Sequence, residues 1–247
     1  MSAKSHRRTF LKQSALLGGG LLLLGTTRSQ AAETNSPSAP KTPPAPDAGS
    51  PNATADIREV FKYRRSVRKF RPDPVPEADI RKIIDAARLA PTSGNQQPWK
   101  FLVIRDKDKI SQMKEACVKR VMERNARENE AQEAKEKREA KVRSRLDGIF
   151  SAPAYVVVLT DNQSQYPDYN HWDGPLAAGY LLLAARALGY GTVHITDVIP
   201  DSVTKEVLRI PDRFTRVCIT PVGIPIEWPK SPKKKKLEEF IAWETPG

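Results

Sequence analysis

Two short stretches carry residue types from which a site for an anionic, flat ligand can be built. Arg64-Arg65-Ser66-Val67-Arg68-Lys69-Phe70 gathers guanidinium groups around a hydroxyl. Guanidinium forks hold phosphate oxygens with paired, charge-assisted hydrogen bonds. Pro91-Thr92-Ser93-Gly94-Asn95-Gln96-Gln97-Pro98-Trp99 gathers amides and hydroxyls in a proline-bounded loop. Amides both donate and accept, so such a loop can read the edge of a flat polar heterocycle. Alone, the first stretch reads equally as surface charge and the second as an ordinary loop. Their order, with one helix between them, is the stronger signal.

The elements that must position these stretches follow from periodicity. Asp56–Tyr63 places Ile57, Val60 and Phe61 at helical spacing. Pro72, Pro74 and Pro76 then hold the chain extended. Glu77–Leu89 predicts a helix with Ile80, Ile83, Ile84 and Ala87 on one face, ended by Pro91. Trp99–Ile104 alternates as a strand does. Residues 109–146 form a long charged helical stretch, with Glu123→Arg127, Glu133→Lys137 and Glu139→Arg143 in the favourable order. Between Asn125 and Lys141 almost nothing is apolar. A solvated helix or arm is therefore expected ahead of a lid or partner-binding element. Ala154–Thr160 is an apolar, β-branched run suited to a central strand.

Gly174–Leu188 predicts a buried helix containing Leu176, Tyr180, Leu181, Leu183 and Ala184, closed by Gly189 and Gly191. Tyr180 is expected to pack in the core. A short strand at Thr192–Ile195, a helix at Ser202–Leu208 and a strand at Arg216–Val222 follow. The tail, Leu237–Trp243, carries apolar residues with no local partner and is expected to pack across a subunit boundary. Interleaved helices and strands mean an α/β or α+β class.

Bulk properties narrow the function. His6-Arg7-Arg8-Thr9-Phe10-Leu11-Lys12, an apolar Gly-rich run from Ala15 to Leu24, and Ser29-Gln30-Ala31 occur in the order of a twin-arginine export signal. Residues 1–31 are read as that signal, cleaved near Ala31, with the twin-arginine machinery as partner and the periplasm as destination. The apolar run is too short for a permanent membrane span of ~20 residues. Residues 32–53 are Ala, Pro, Ser, Thr and Asn with few large apolar groups, a disordered linker. Residues 54–247 remain as one domain. The formal charge is +12, and removing the five basic residues of 1–31 leaves +7. Basic residues are not interleaved with aromatics, so no nucleic-acid partner is inferred. Cys117 and Cys218 form no metal-binding or redox spacing, and His6, His171 and His194 are scattered, so no metal is inferred. Whether the two thiols pair is open at this level. Rossmann, Walker and nucleophile-elbow motifs are all missing from the sequence.

The paired stretches resemble the nitroreductase family. Leu181-Leu182-Leu183-Ala184-Ala185 with Leu188-Gly189-Tyr190-Gly191-Thr192 is similar to the family's central helix and following turn. Ile219-Thr220-Pro221-Val222-Gly223-Ile224-Pro225 is similar to its last core strand, and Lys233–Glu239 to the basic segment before its closing strand. The resemblance runs from Ile57 to Glu244. It implies an α+β fold with a central, mostly antiparallel sheet flanked by helices, and FMN bound at a homodimer interface. It implies phosphate contacts from Arg64, Arg65, Ser66 and Arg68, and ring and ribityl contacts from Asn95 and Gln97. A backbone donor near flavin N5 falls at Ile195 and Thr196, and a second basic phosphate contact at Lys234 or Lys235. Gly179-Tyr180, His194 and Thr196 depart from the family's commoner residues, which bears on substrate contacts.

In such an enzyme FMN takes two electrons from one substrate and gives them to another, a ping-pong scheme. No side chain need act as nucleophile, and no catalytic residue is assigned. Asp173 and His171 read equally as cap or loop residues. A small flat acceptor, nitroaromatic or quinone-like, fits the site. NAD(P)H is the family's usual donor, but an exported protein meets little of it, so another donor is equally open. The alternatives are a dehalogenase-like or flavin-destroying enzyme, and a non-catalytic flavin-binding or interaction protein using the charged helix.

Overall fold

The computed structural model describes residues 56–126, 128 and 130–245, so the expected export signal (1–31) and linker (32–53) lie outside the described residues. Its frame is a sheet of β1 (Trp99–Ile104), β2 (Ala154–Asp161), β3 (Gly191–Thr192) and β4 (Phe214–Gly223). The order is β1-β2-β4-β3, and each neighbouring pair is antiparallel. This is the expected α+β arrangement. β2 is inaccessible on both faces, which is why its sequence is a continuous apolar run instead of an alternation.

The two faces of the central strands feed two cores. Tyr155, Val157, Leu159 and Ile219 point into one, formed with α3 (Lys107–Arg124), α4 (Gln132–Ile149) and α6 (Asp201–Leu208). Val156, Val158, Cys218 and Val222 point into the other, formed with α2 (Glu77–Ala87) and α5 (Asn170–Ala187). A short helix, α1 (Ile57–Tyr63), also packs on α5. Its Asp56 side chain accepts from the Arg58 N–H as an N-cap.

One irregularity interrupts β4. Val158 pairs with Cys218, but Leu159 pairs with Arg216, so Val217 is the extra residue of a β-bulge. A bulge breaks the alternation of side chains. Cys218 and Val217 therefore pack on the same side, the α2/α5 core. Arg216 is turned to the opposite side, toward α6.

Three expectations are corrected. The stretch 109–146 is two helices, α3 and α4, folded against each other. Two expected pairs form within α4, Lys137–Glu133 at 2.6 Å and Arg143–Glu139 at 2.9 Å. Glu123 instead pairs with Arg120, and Arg127 lies outside the described residues. Long charged side chains staple the pair: Arg138 reaches both carboxylate oxygens of Glu130 (2.6 and 3.0 Å) and the Met122 carbonyl (3.3 Å). Arg143 crosses to Glu115 at 2.8 Å. The second correction concerns α5, which begins four residues early and is not buried all round. Trp172, Leu176 and Tyr180, each one helical turn apart, are 59%, 45% and 42% exposed. Third, Tyr180 lies on that exposed stripe and not in the core.

Candidate functional site

The amide loop is held in an uncommon conformation. Gly94, Asn95 and Gln97 all have positive φ, at 58°, 54° and 48°. For residues other than glycine this region costs on the order of 1 kcal/mol each, and it persists only where the surroundings enforce it. Here Gln96 does the enforcing. Its Nε2 donates to Asp173 Oδ2 at 2.8 Å and to the Tyr166 carbonyl at 3.0 Å. Its Oε1 accepts from the Tyr166 N–H at 2.7 Å. The Ser93 N–H also reaches Asp173, at 3.2 Å, and the Gln97 N–H reaches Thr92 Oγ1 at 3.2 Å. Asp173 is buried in the first turn of α5. With Gln96 tied inward, Asn95 and Gln97 on either side of it are left exposed. A Cβ on Gly94 would stand 2.5 Å from the Tyr166 ring, so the close approach needs glycine there.

The Arg64–Phe70 segment runs beside β3. The Val67 N–H donates to the Thr192 carbonyl at 2.9 Å, and Ser66 forms a parallel bridge to Thr192. Beyond it, the Phe70 N–H donates to Ser151 Oγ at 3.0 Å, and the Arg71 N–H to the Ile224 carbonyl at 2.8 Å. Gly148 of α4 lies directly under the motif: a Cβ there would be 2.7 Å from the Arg68 carbonyl. Arg65 Nη1 donates to the Lys62 and Arg64 carbonyls at 2.7 and 2.8 Å, and Arg68 Nη1 to the Ser66 carbonyl at 3.3 Å. Among the described residues none of Arg64, Arg65 and Arg68 has a carboxylate partner, unlike Arg71, Arg81, Arg88, Arg138 and Arg143.

Arg186, in the last turn of α5, adds to this charge. Its Nη1 is buried without a hydrogen-bond partner, and its guanidinium lies 4.0 Å from the centre of the Trp228 ring. Burial, then the nearby Arg65, push its pKa below the ordinary arginine value. Uncompensated guanidiniums with an orphaned donor beside them fit a phosphate group. Lys234 and Lys235 are exposed; Lys235 lies 4.0 Å from Glu239, and no hydrogen bond or ion pair joins either lysine to the arginines among the described residues.

The third predicted segment is narrowed by its hydrogen bonds. Ile195 is 4% exposed, and its N–H and carbonyl both pair with Ile219, at 3.2 and 3.0 Å. Its N–H is therefore not free for a ligand. Thr196 and Asp197 are exposed, and their N–H groups have no acceptor among the described residues.

The two motifs do not converge within one chain. Asp173, which anchors the amide loop, and Arg186, which adjoins the arginine motif, are thirteen residues apart on α5. That is about 20 Å along a helix axis. Sequence reasoning passed over three residues that organise the site, Gln96, Arg186 and Arg216, and left a fourth, Asp173, as equally a cap or loop residue. Asp173 had a signal, as one of only two charged residues with Arg186 in an otherwise uncharged helix.

An antiparallel α+β frame with a cationic cluster and an amide loop at opposite ends of one long helix defines the class. Residues 61–224 match the Nitroreductase family, and the chain belongs to that family. It is 30% identical over 191 residues to the iodotyrosine deiodinase of Thermotoga neapolitana, covering 76% of this chain and 98% of the relative. It is 29% identical over 204 residues to the 5,6-dimethylbenzimidazole synthase of Rhodospirillum rubrum, covering 79% and 92%. Among solved structures, an oxidised iodotyrosine deiodinase bound to FMN and 3-iodo-L-tyrosine superposes with a TM-score of 0.61 at 27% identity, covering 77% of this chain and all of that one.

Proposed function

We propose that the protein is an FMN-dependent oxidoreductase acting as a homodimer, exported through a twin-arginine signal. The observation that carries the flavin reading is the unpaired cluster of Arg64, Arg65, Arg68 and Arg186 at one end of α5, set against the strained amide loop at the other. Bound FMN would supply two-electron transfer between a donor and a small flat acceptor, nitroaromatic or quinone-like. Arg64, Arg65, Arg68 and the Ser66 hydroxyl hold the phosphate, with Lys234 or Lys235 closing on it. Asn95 and Gln97 contact the ring and ribityl chain. Thr196 offers its N–H to the ring edge.

The separation of the two motifs supports the dimer. Exposed apolar residues line α5 at Trp172, Leu176 and Tyr180, and α1 at Ile57 and Phe61. Burying these stripes against a second copy is favourable at roughly 25 cal/mol per Å². Antiparallel pairing of two α5 helices sets the start of one beside the end of the other. The amide loop of one protomer then meets the arginine motif of its partner, and two equivalent sites form. The tail residues Leu237, Phe240 and Trp243, 66%, 69% and 79% exposed, are available to cross the same boundary.

The test is direct. The purified protein is expected to show a flavin band or to take up added FMN, and to run as a dimer by light scattering. A colourless protein that takes up no FMN would sink the flavin reading. A second reading, a dehalogenase-like or flavin-destroying enzyme, is favoured by the kinship with the deiodinase and the dimethylbenzimidazole synthase. The fate of FMN under reduction in oxygen separates them: intact flavin counts against destruction. Comparing NADH, NADPH and a quinol under anaerobic conditions identifies the donor.

A further inference from the structure

Arg216 is the most fully engaged buried cation of the domain, and the proposed chemistry does not use it directly. Its side chain is 4% exposed. Nε donates to Asp201 Oδ1 at 3.1 Å. Nη1 donates to the Ile199 carbonyl at 2.8 Å and to Thr204 Oγ1 at 3.3 Å. Nη2 donates to the Thr196 carbonyl at 3.0 Å. Four acceptors on one fork is a demanding geometry that a point charge cannot reproduce. All four belong to the segment 196–204, the irregular loop from Thr196 to Pro200 and the first turn of α6.

The loop's orientation follows from two planar peptides. The Ile195 carbonyl accepts from the Ile219 N–H at 3.0 Å, so the Thr196 N–H on the other side of that trans peptide points away from β4. The Thr196 carbonyl accepts from Arg216, so the Asp197 N–H points away from the guanidinium. Two successive amide donors are thereby left facing outward. The bulge at Val217 makes this possible. In a regular strand Arg216 would lie on the same face as Cys218, toward α2 and α5; the extra residue turns it toward the loop.

We propose that Arg216 is a positioning residue: through the Thr196 carbonyl it fixes the amide donors that face the flavin, and so sets how readily the flavin is reduced. The inference rests on the flavin reading above. Two-electron reduction brings a proton to N5, which changes from hydrogen-bond acceptor to donor. A fixed amide donor at N5 therefore favours the oxidised ring, and loosening it favours the reduced one.

The experiment measures FMN-loaded protein against a redox dye of known potential. Arg216→Lys keeps the positive charge but not the fork. It is expected to raise the ratio of reduced to oxidised FMN at a fixed dye poise about tenfold, about 30 mV for a two-electron couple. In flavin-free protein the amides of Thr196 and Asp197 should exchange hydrogen faster. Tyr190→Phe, a destabilising change elsewhere, should leave the ratio within twofold. Should Arg216→Lys fail to fold, the double variant Asp201→Ala with Thr204→Val frees two of the guanidinium's holds and is expected to shift the ratio at least threefold. A folded, FMN-loaded variant within twofold of the wild type overturns the inference alone. A wild-type protein that takes up no FMN overturns the flavin reading, and this inference with it.

Discussion

Replacing Asp173 by alanine tests whether the amide loop is preorganised for its ligand. The carboxylate accepts from Gln96 Nε2 at 2.8 Å and from the Ser93 N–H at 3.2 Å, and the residue is 3% exposed. Its removal takes the acceptor from the Ser93 N–H and from one of the two Gln96 Nε2 hydrogens, both on half-buried residues. Unsatisfied buried groups cost about 1–3 kcal/mol each, so a loss of about 2–4 kcal/mol is expected, read by urea unfolding. With Gln96 then held by Tyr166 and, at 3.5 Å, by Asn170 Oδ1 alone, the left-handed backbone at Asn95 and Gln97 is less well compensated. The loop then samples relaxed conformations, and apparent affinity falls with the competent fraction. A shift of about 2 kcal/mol in that equilibrium is about 30-fold, so FMN affinity should weaken by about 10- to 30-fold in a fluorescence-quenching titration. Asp173→Asn keeps one acceptor oxygen and should fall between. An Asp173→Ala protein with the expected stability loss but FMN affinity within twofold of wild type would refute the reasoning, because the lock would then have no bearing on the ligand.

Three further outcomes are expected. Gly148→Ala sets a Cβ 2.7 Å from the Arg68 carbonyl, so it should destabilise by about 1–3 kcal/mol and weaken FMN binding, both read by titration and thermal melting. Tyr190→Phe removes a 2.8 Å hydrogen bond to Asp79 and should cost about 1–2 kcal/mol at neutral pH. Lys82 and then Tyr190 hold the Asp79 carboxyl below its ordinary 3.8, so its contribution is full above that pH and is lost as pH falls through the lowered value; the penalty of the variant should shrink there in acid-unfolding curves. Cys117 and Cys218 lie in the two different cores on opposite faces of the sheet, with both thiols pushed up to about 12 by burial. Neither should react with iodoacetamide in the native protein at pH 8, and mass spectrometry after mild oxidation should find no disulfide between them.

Much of the fold is legible wherever local pattern and burial agree. Trp99–Ile104 is a strand with the bounds that alternation predicts, and Ile80, Ile83 and Ala87 are buried as the 3.6-residue period requires. The period does not say where a charged stretch folds back. Residues 125–131 contain no proline or glycine, so nothing local marks the turn between α3 and α4. The turn is set instead by cross-helix pairs such as Arg143 with Glu115, which are long-range information. The exposed stripe of α5 is invisible for a related reason. An apolar helix reads as buried, whether the surface that covers it belongs to the same chain or to another. In the site, residue types indicated which side chains suit a phosphate or a heterocycle. Which of three adjacent amides turns inward depends on backbone φ, and Gln96 was not distinguishable from Asn95 and Gln97 by type.

The bulge in β4 links two parts of the site that share no sequence signal. On the α5 side it presents Val217 to Gly174, where a Cβ would collide with the Val217 side chain and come within 2.8 Å of Thr160. Glycine at that point lets α5 settle onto the sheet one residue after Asp173, the anchor of the amide loop. On the other side the same extra residue directs Arg216 to the Thr196 carbonyl. A regular strand would instead present the Arg216 guanidinium to the core that holds Ala178, Leu181 and Cys218, with no acceptor for its five donors. Burial of an unpaired cation is unfavourable by several kcal/mol, so the bulge and the arginine require each other. The height of the amide loop over the sheet and the aim of the Thr196 and Asp197 amides are therefore not independent. Both are fixed by one inserted residue, Val217, which lies in neither the arginine motif nor the amide loop.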